Sequence, residues 1–274
     1  MMNTVYGYVG RILYVDLSKG KVESKPIRDY PLRMYIGGCG LAARILFDET
    51  GPETDPLSPE NVLIFMTGPV TATRVPLSGR HEVVSKSPLT GLYGESSAGG
   101  YWGSELKRAG FDGIVIRGRA AKPVYLWICD GEVELRDAEH LWGMDTYALD
   151  EVIKNETDKK AVITSIGPAG EKLARISAIM SDGVDGRAAA RCGLAAVMGS
   201  KRLKAISVRG SGSVEVASPD LLERSVREMI PKIVENARGL HEYGTSGGMT
   251  FIAVSYTHLR AHETEADLVC RLLL

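Results

Sequence analysis

Ser78-Gly-Arg-His-Glu-Val-Val-Ser-Lys-Ser-Pro-Leu-Thr-Gly-Leu-Tyr-Gly-Glu-Ser-Ser-Ala-Gly-Gly-Tyr-Trp-Gly103 is the stretch on which the reading of this chain turns. It holds a short apolar alternation at Val83 and Val84, then a long run of small residues: Gly91, Gly94, Ser96, Ser97, Ala98, Gly99, Gly100 and Gly103. Such a run lets backbone N–H groups approach a ligand, and glycine accepts the positive φ of a tight anion-binding turn. Leu106, Ala109 and the stop signal Gly110 predict a short helix after it. The glycines would then sit at a helix N-terminus, a position that suits phosphate. Arg80 precedes the run as a planar, permanently charged donor. For one such run alone, a Gly-rich surface loop is the plain alternative.

A partial echo follows at Gly186-Arg187-Ala188-Ala189-Ala190-Arg191-Cys192-Gly193, again small residues with arginines. The first run continues through Gly103-Ser104 and a basic helical turn to Ile114-Val115-Ile116-Arg117-Gly118. The second continues through Gly199-Ser200 and Lys201-Arg202 to Ile206-Ser207-Val208-Arg209-Gly210. Two copies suggest a duplicated unit offering two similar phosphate-binding turns.

The chain has 274 residues, 44% of them hydrophobic, and a net charge of −1. That suits one large or two ordinary domains with a real core. The near-neutral balance, with no Lys/Arg block, argues against a nucleic-acid surface. No apolar run approaches the ~20 residues of a membrane span, and the N-terminus lacks a signal pattern. Cys39, Cys129, Cys192 and Cys270 are widely separated and form no C-x-x-C, so none reads as a zinc or iron–sulfur site by itself. A cytoplasmic protein with reduced thiols is expected.

Around the central stretch, Arg11–Leu17 and Lys21–Ser24 read as a hairpin across Ser18-Lys19-Gly20. Gly37-Gly38-Cys39-Gly40 opens a helix with Leu41, Ala42, Ile45 and Leu46 on one face. Those glycines serve either helix entry or a third backbone approach to a ligand. Val62–Met66 is a continuous apolar strand, expected to be covered on both faces. Asp130-Gly131 is a strong hairpin signal between Val124–Cys129 and Glu132–Leu135, and Asp145 can cap a helix. Strands are expected at Ala161–Ile166, Ala174–Met180 and Ala205–Val208. Ser218-Pro219 starts a last helix, which Pro231 should kink. The pattern is α+β, with a boundary in the Gly/Ser-rich seam near Gly210–Ser218.

These residues resemble the aldehyde ferredoxin oxidoreductase family of tungsten-pterin enzymes. The likeness rests on Gly10-Arg11, Asp55-Pro56-Leu57-Ser58-Pro59-Glu60-Asn61, Gly79-Arg80 and Lys86-Ser87-Pro88-Leu89-Thr90-Gly91. It continues through Gly99-Gly100-Tyr101, Gly167-Pro168-Ala169-Gly170-Glu171, Ala178-Ile179-Met180, Arg187-Ala188-Ala189 and Ala196-Val197-Met198-Gly199-Ser200-Lys201. It spans roughly residues 6 to 252, in the family's order.

The resemblance implies an internally duplicated, saddle-like α+β domain of mixed and antiparallel sheets over residues 1–212. The start of a truncated helical domain would follow at 213–253. It implies a tungsten, or molybdenum, bis-pterin cofactor whose phosphates are joined through Mg. Arg80, Ser97, Ala98, Gly99, Arg187, Ala188, Ala190 and Arg191 match cofactor-contacting positions, with the backbone carbonyls of Ser97 and Ala188 on the Mg. Ser97 stands where the family's best-known member has Asn, and Ala190 where it has Gly. No residue of this segment is expected to be catalytic.

The resemblance further implies oxidation of a small aldehyde to a carboxylic acid. Electrons would leave through a 4Fe-4S cluster to ferredoxin, in an enzyme that can form a homodimer. The cluster's cysteines would lie beyond this chain, so residues 1–274 alone should be inactive. A tungsten subunit acting on another substrate, such as aryl-CoA reduction, and a non-catalytic phosphate- or cofactor-binding module are the rival readings. Residues 254–274 resemble adaptor sequence translated at the ends of unrelated genes, although His258 and His262 share the spacing of a metal pair.

Overall fold

The computed structural model describes residues 5–27 and 29–249. The tail at 254–274, with His258, His262 and Cys270, lies outside the described residues. The chain divides into two compact units, Met1–Pro219 and Asp220–Leu274.

The first unit runs β1 (Arg11–Asp16), β2 (Lys21–Pro26), α1 (Asp29–Tyr35), α2 (Gly38–Glu49), β3 (Leu63–Thr67), β4 (His81–Lys86), β5 (Tyr93–Ala98), α3 (Trp102–Arg108) and β6 (Gly113–Arg117). It continues β7 (Val124–Cys129), β8 (Glu132–Asp137), α4 (Thr146–Glu156), β9 (Val162–Ile166), α5 (Pro168–Glu171), β10 (Ile179–Ser181), β11 (Arg187–Ala189), α6 (Leu194–Ser200) and β12 (Leu203–Arg209). The described part of the second unit is mostly α7 (Pro219–Tyr243), which continues through Pro231 and buries none of its residues.

Local chemistry fixes many of these elements. Asp130 and Gly131 take positive φ values of 45° and 95°, as a two-residue hairpin needs. The Asp145 carboxylate accepts from the N–H groups of Tyr147 and Ala148, both at 2.9 Å, and starts α4. All five residues of β3 are buried, as expected of a strand covered on both faces.

The first sheet has the order β2-β1-β6-β3-β4-β5 and the second β11-β10-β9-β12-β7-β8. Read from their hairpin ends, these are one topology used twice. In each, a hairpin strand pairs in parallel with the last strand of its half, and the other pairings are antiparallel. The helices repeat too: α2 and α4 precede the third strands, and α3 and α6 precede the last. Gly68-Pro69 follows β3 as Gly167-Pro168 follows β9, an echo not picked out in the sequence.

The structure corrects the register of the repeat. Arg117-Gly118 and Arg209-Gly210 are true counterparts, each closing its strand. Gly103-Ser104 and Gly199-Ser200 are not, since Gly103 opens α3 and Gly199 lies near the end of α6. Each glycine answers to a different neighbour: a Cβ on Gly103 would press on His81 Cβ at 3.0 Å, and one on Gly199 would clash with the Gly170 carbonyl oxygen at 2.1 Å. In the corrected register Asp112 corresponds to Lys204. Both are buried, with opposite charge. Asp112 accepts from the N–H groups of Val9, Gly10 and Arg11. Lys204 donates to the Met144 carbonyl at 2.9 Å and to the Glu171 carboxylate.

Two further expectations change. The strand expected over Ala174–Met180 is confined to Ile179–Ser181. The chain is still turning after α5, with Leu173 at φ 59° and the Ala174 N–H on the Ala169 carbonyl. The long Gly-rich loop is largely a strand, β5.

The main core lies between the sheets and includes Trp102 and Leu106 of α3 and Leu194, Val197 and Met198 of α6. A second cluster sits beneath α1 and α2 and a third beneath α4. Each large side chain so buried contributes about 2 kcal/mol.

α6 rests directly on α5. The Gly170 backbone that would meet a Cβ at position 199 is itself held against Ile166, whose Cβ would lie 2.9 Å from a Cβ on Gly170. Gly199→Ala is therefore expected to lower stability by about 2–3 kcal/mol. Urea unfolding measures it, and an unchanged midpoint would mean that α5 can withdraw from α6.

Candidate functional site

β5 is an edge strand with strict alternation: Tyr93, Glu95 and Ser97 are exposed, while Gly94, Ser96 and Ala98 are buried. Its small residues answer to the other half of the chain. A Cβ on Gly94 would lie 2.9 Å from Cys192 Cβ and 3.0 Å from Ser87 Cβ. Ser96 Oγ accepts from the Arg191 N–H at 3.1 Å, and the Ser87 hydroxyl donates to the Cys192 carbonyl at 2.8 Å. The segment that follows β11 thus lies against the inner face of β5.

The strand register relates the picked residues. Ser97 stands opposite Glu82 on β4, and Ala188 stands opposite Met180 on β10. Ser97 and Ala188 are therefore counterparts in the two halves. Three residues, Gly99–Tyr101, lead from β5 into α3, and four, Ala190–Gly193, lead from β11 into α6. Ala190 lies outside the left-handed region, so its methyl group adds no backbone strain.

Arg80 and Arg187 flank the same short segment. Arg80 Nη1 donates to Ser97 Oγ at 3.3 Å, and Ser97 Oγ donates to Glu82 Oε1 at 2.7 Å. The stem of Arg187 packs at Gly100, where an added Cβ would lie 2.8 Å from Arg187 Cγ. Among the described residues, no hydrogen bond or ion pair engages the guanidinium of Arg187 or Arg191. Gly99 is open, with nothing within 4 Å of the place a Cβ would take.

Acidic groups line the exposed face of β5. Burial, and then the neighbouring Glu95, push the Glu82 carboxyl up, against the pull of the Ser97 hydroxyl and Arg80. The Tyr93 hydroxyl donates to Glu95 at 2.7 Å, and burial with that carboxylate raises its phenol. Burial, Glu95 and Glu82 also raise the exposed Cys39 thiol. The glycines at the start of α2 are used for packing: a Cβ would lie 3.0 Å from the Thr67 carbonyl oxygen at Gly37 and 2.4 Å from that of Tyr35 at Gly40. This favours helix entry over a third ligand approach.

The helix N-terminus read as a phosphate seat is already filled. Asp182 Oδ2 accepts from the Tyr101 N–H at 2.7 Å and Oδ1 from the Trp102 N–H at 3.2 Å. Asp182 was not singled out from the sequence, although Asp182-Gly183 is a turn signal of the same kind as Asp130-Gly131. His81 was missed as well. It is fully buried at the start of β4, its ring centroid 4.7 Å from that of Trp102 and 6.4 Å from that of Phe65. Neither ring nitrogen has a hydrogen-bond partner among the described residues, and burial holds the imidazole down to about 3.

Among the described residues, no group of three or more His, Cys, Asp or Glu side chains is placed to hold a metal, and no helix is long and apolar enough to cross a membrane. Cys129 packs partly buried against the cluster beneath α4.

Comparison with known proteins places this architecture. The chain is 46% identical over 246 residues to the tungsten-containing aldehyde ferredoxin oxidoreductase of Pyrococcus furiosus, covering 88% of this chain and 40% of that protein. It is 37% identical over 261 residues to the WOR-like subunit of an aliphatic sulfonate oxidoreductase from the same organism, covering 89% of this chain and 41% of that one. Among solved structures, the active-site complex BamBC of benzoyl coenzyme A reductase, in complex with 1,5-dienoyl-CoA, superposes with a TM-score of 0.82 at 38% identity. That match covers 85% of this chain and 35% of the other. The chain thus spans about 40% of the length of the curated relatives it matches most fully. Residues 12–210 match the family described as aldehyde ferredoxin oxidoreductase, N-terminal domain. With two six-stranded mixed sheets built on one repeated topology, and with these relatives, the chain belongs to the aldehyde ferredoxin oxidoreductase family.

Proposed function

We propose that the chain is the cofactor-binding N-terminal part of a tungsten bis-pterin oxidoreductase, with molybdenum as the alternative metal. The whole enzyme converts an aldehyde and water to a carboxylic acid, two protons and two electrons. One observation carries the reading: the turn of each half packs on the other half, Ala190–Gly193 on β5 and Gly99–Tyr101 on Asp182 and Arg187, beside the guanidinium groups of Arg187 and Arg191, which make no hydrogen bond or ion pair among the described residues. The residues present fit such a group. Gly99 leaves open the space a side chain would fill, so a flat ring can lie on the backbone of Ser97–Gly99.

Arg80, Arg187 and Arg191 would hold phosphate and pterin oxygens, since guanidinium forks suit them. Ala188 and Ala190 would offer backbone to the second pterin. Ser97 commits its hydroxyl to Glu82 and Arg80, so a cation there would take its backbone carbonyl. Ser97 and Ala188, as counterparts, suit one Mg ion between two phosphates. When bound, the metal–pterin group supplies the two-electron oxidation. The residues of this chain bind and orient it. A 4Fe-4S cluster, held outside the described residues, would pass electrons to ferredoxin, with a small aldehyde as substrate and a homodimer as the assembly.

The test uses the chain expressed with tungstate in a host that makes the pterin. Arg187→Ala should lower tungsten and pterin per chain roughly tenfold in chains shown to be folded by their melting transition. Equal content in both proteins would overturn the assignment. A second reading, reduction of an aryl-CoA, is favoured by the likeness to the benzoyl coenzyme A reductase complex. Offering the full-length enzyme an oxidised viologen dye with an aldehyde, and separately the same dye with 1,5-dienoyl-CoA, whose oxidation to the aryl-CoA is the reverse reaction, separates the two. Viologen reduction by aldehyde supports the first reading, and turnover of the dienoyl-CoA alone supports the second.

A further inference from the structure

We propose that Asp182 is a positioning residue: it holds the turn before α3 and the Arg187 side chain of the other half in one arrangement, on which cofactor binding depends. Only the last clause rests on the function proposed above.

Three segments distant in sequence occupy one packed spot. Asp182 leaves β10 with φ 65° and ψ 29°, a left-handed conformation that Asp tolerates better than most residues. There its carboxylate spans two consecutive N–H groups, those of Tyr101 and Trp102. No side chain of the α3 N-cap residue does this work, so Asp182 supplies the cap from the other half of the chain. Gly100 takes φ 91°, and an added Cβ would lie 1.6 Å from Asp182 Oδ2, 2.7 Å from its Cγ and 2.8 Å from Arg187 Cγ. Glycine, carboxylate and arginine stem therefore fit together only in this one way.

The electrostatics agree with the packing. Burial raises the Asp182 carboxyl, while the two amides and Arg187 favour its charged form and Asp185 opposes it. A neutral side chain would leave at least one amide without its partner and would remove the negative charge that attracts Arg187. Ser97–Gly99 leads directly into this turn, so freedom at Tyr101 reaches the open backbone at Gly99.

The test compares wild type with Asp182→Asn, nearly isosteric, and Asp182→Ala. In the 274-residue chain, the amide resonances of Tyr101 and Trp102 should move upfield in Asp182→Asn. Their hydrogen exchange should quicken about tenfold, while the amides of Phe65 and Leu106 keep their protection. A merely structural role would raise exchange at all four sites together. Chains expressed with tungstate and the pterin should carry roughly 10- to 100-fold less of both, the range typical for loss of a supporting partner. If Asp182→Ala does not fold, the Asn variant decides.

Unchanged resonances and exchange at Tyr101 and Trp102 would overturn the proposal whatever the cofactor content. Freed amides with wild-type cofactor content would overturn the dependence of binding on Asp182. If wild type itself takes up neither tungsten nor pterin while the Asn variant frees both amides, the cofactor reading fails and the positioning of the turn stands.

Discussion

Lys201→Met is expected to destabilise the chain by about 4 kcal/mol, because Lys201 fastens the two halves together. It follows α6 in the second half, fully buried, and its ammonium donates to the carbonyls of Asn61 at 2.5 Å, Gly118 at 3.2 Å and Pro59 at 3.4 Å, all in the first half or at its end. No carboxylate lies within ion-pair distance among the described residues. Methionine fills the space but takes the ammonium from the buried Asn61 and Gly118 carbonyls, while the Pro59 carbonyl keeps the Gly118 N–H. Denaturant unfolding at pH 7 measures the loss, and a change below about 1 kcal/mol would show that water replaces the ammonium.

The same lysine makes a pH signature. Burial lowers both Lys107 and Lys201 to about 8, from 10.5. Between those values the native chain has released protons that the unfolded chain still binds, so stability rises with pH, by up to roughly 3 kcal/mol per lysine. Above pH 10 the phenols of half-buried Tyr14 and buried Tyr125, shifted upward, pull the other way. Burial lowers Lys204 as well, and the raised thiols of Cys39 and Cys129 oppose the rise, so Lys201→Met should reduce the rise between pH 8 and 10 without abolishing it.

The second large effect is acid lability through His81. Its imidazole stays neutral in the fold down to about 3, whereas the unfolded chain takes up a proton near 6.5. The unfolded state binds more protons in that window, so stability falls as pH falls, by ~1.4 kcal/mol per unit and about 5 kcal/mol in all. The raised carboxyls of Glu82, Asp112 and Asp182 oppose this trend, so the readout is the difference from His81→Phe. Phenylalanine keeps the ring between Trp102 and Phe65 and removes two unpartnered nitrogens. The variant should equal or exceed wild type at pH 7 and gain on it steadily below 6.5. Parallel pH profiles would show that His81 finds a partner in solution.

What was legible in the sequence was what local chemistry decides. Asp130-Gly131 and Asp145 act on their neighbours, and the run of β3 reports its own burial. β5 was hidden because glycine, serine and alanine at positions 94, 96 and 98 have low strand propensity. Cys192 and Arg191, distant along the chain, demand those small residues. The duplication was visible in Arg117-Gly118 and Arg209-Gly210. The glycine pairs misled, because Gly103 and Gly199 answer to different neighbours. At the candidate site, Arg80, Ser97, Gly99 and Arg187 could be picked out by type and resemblance. Asp182 and His81 gain their meaning only from the other half of the chain or from the core, which no spacing reports.

The two halves share a topology but not their details, and this bears on direction. A homodimer must carry every substitution twice, once on each side of its axis. A joined chain is free of that constraint. Here one half presents Ser97 with its hydroxyl and a three-residue turn, and the other presents Ala188 with a methyl group and a four-residue turn. A ligand with two like ends, laid across the joint, would meet a different surface at each end. The joint is thus a polar axis in the directional sense: its two ends can be told apart, and such a ligand would have a preferred way round.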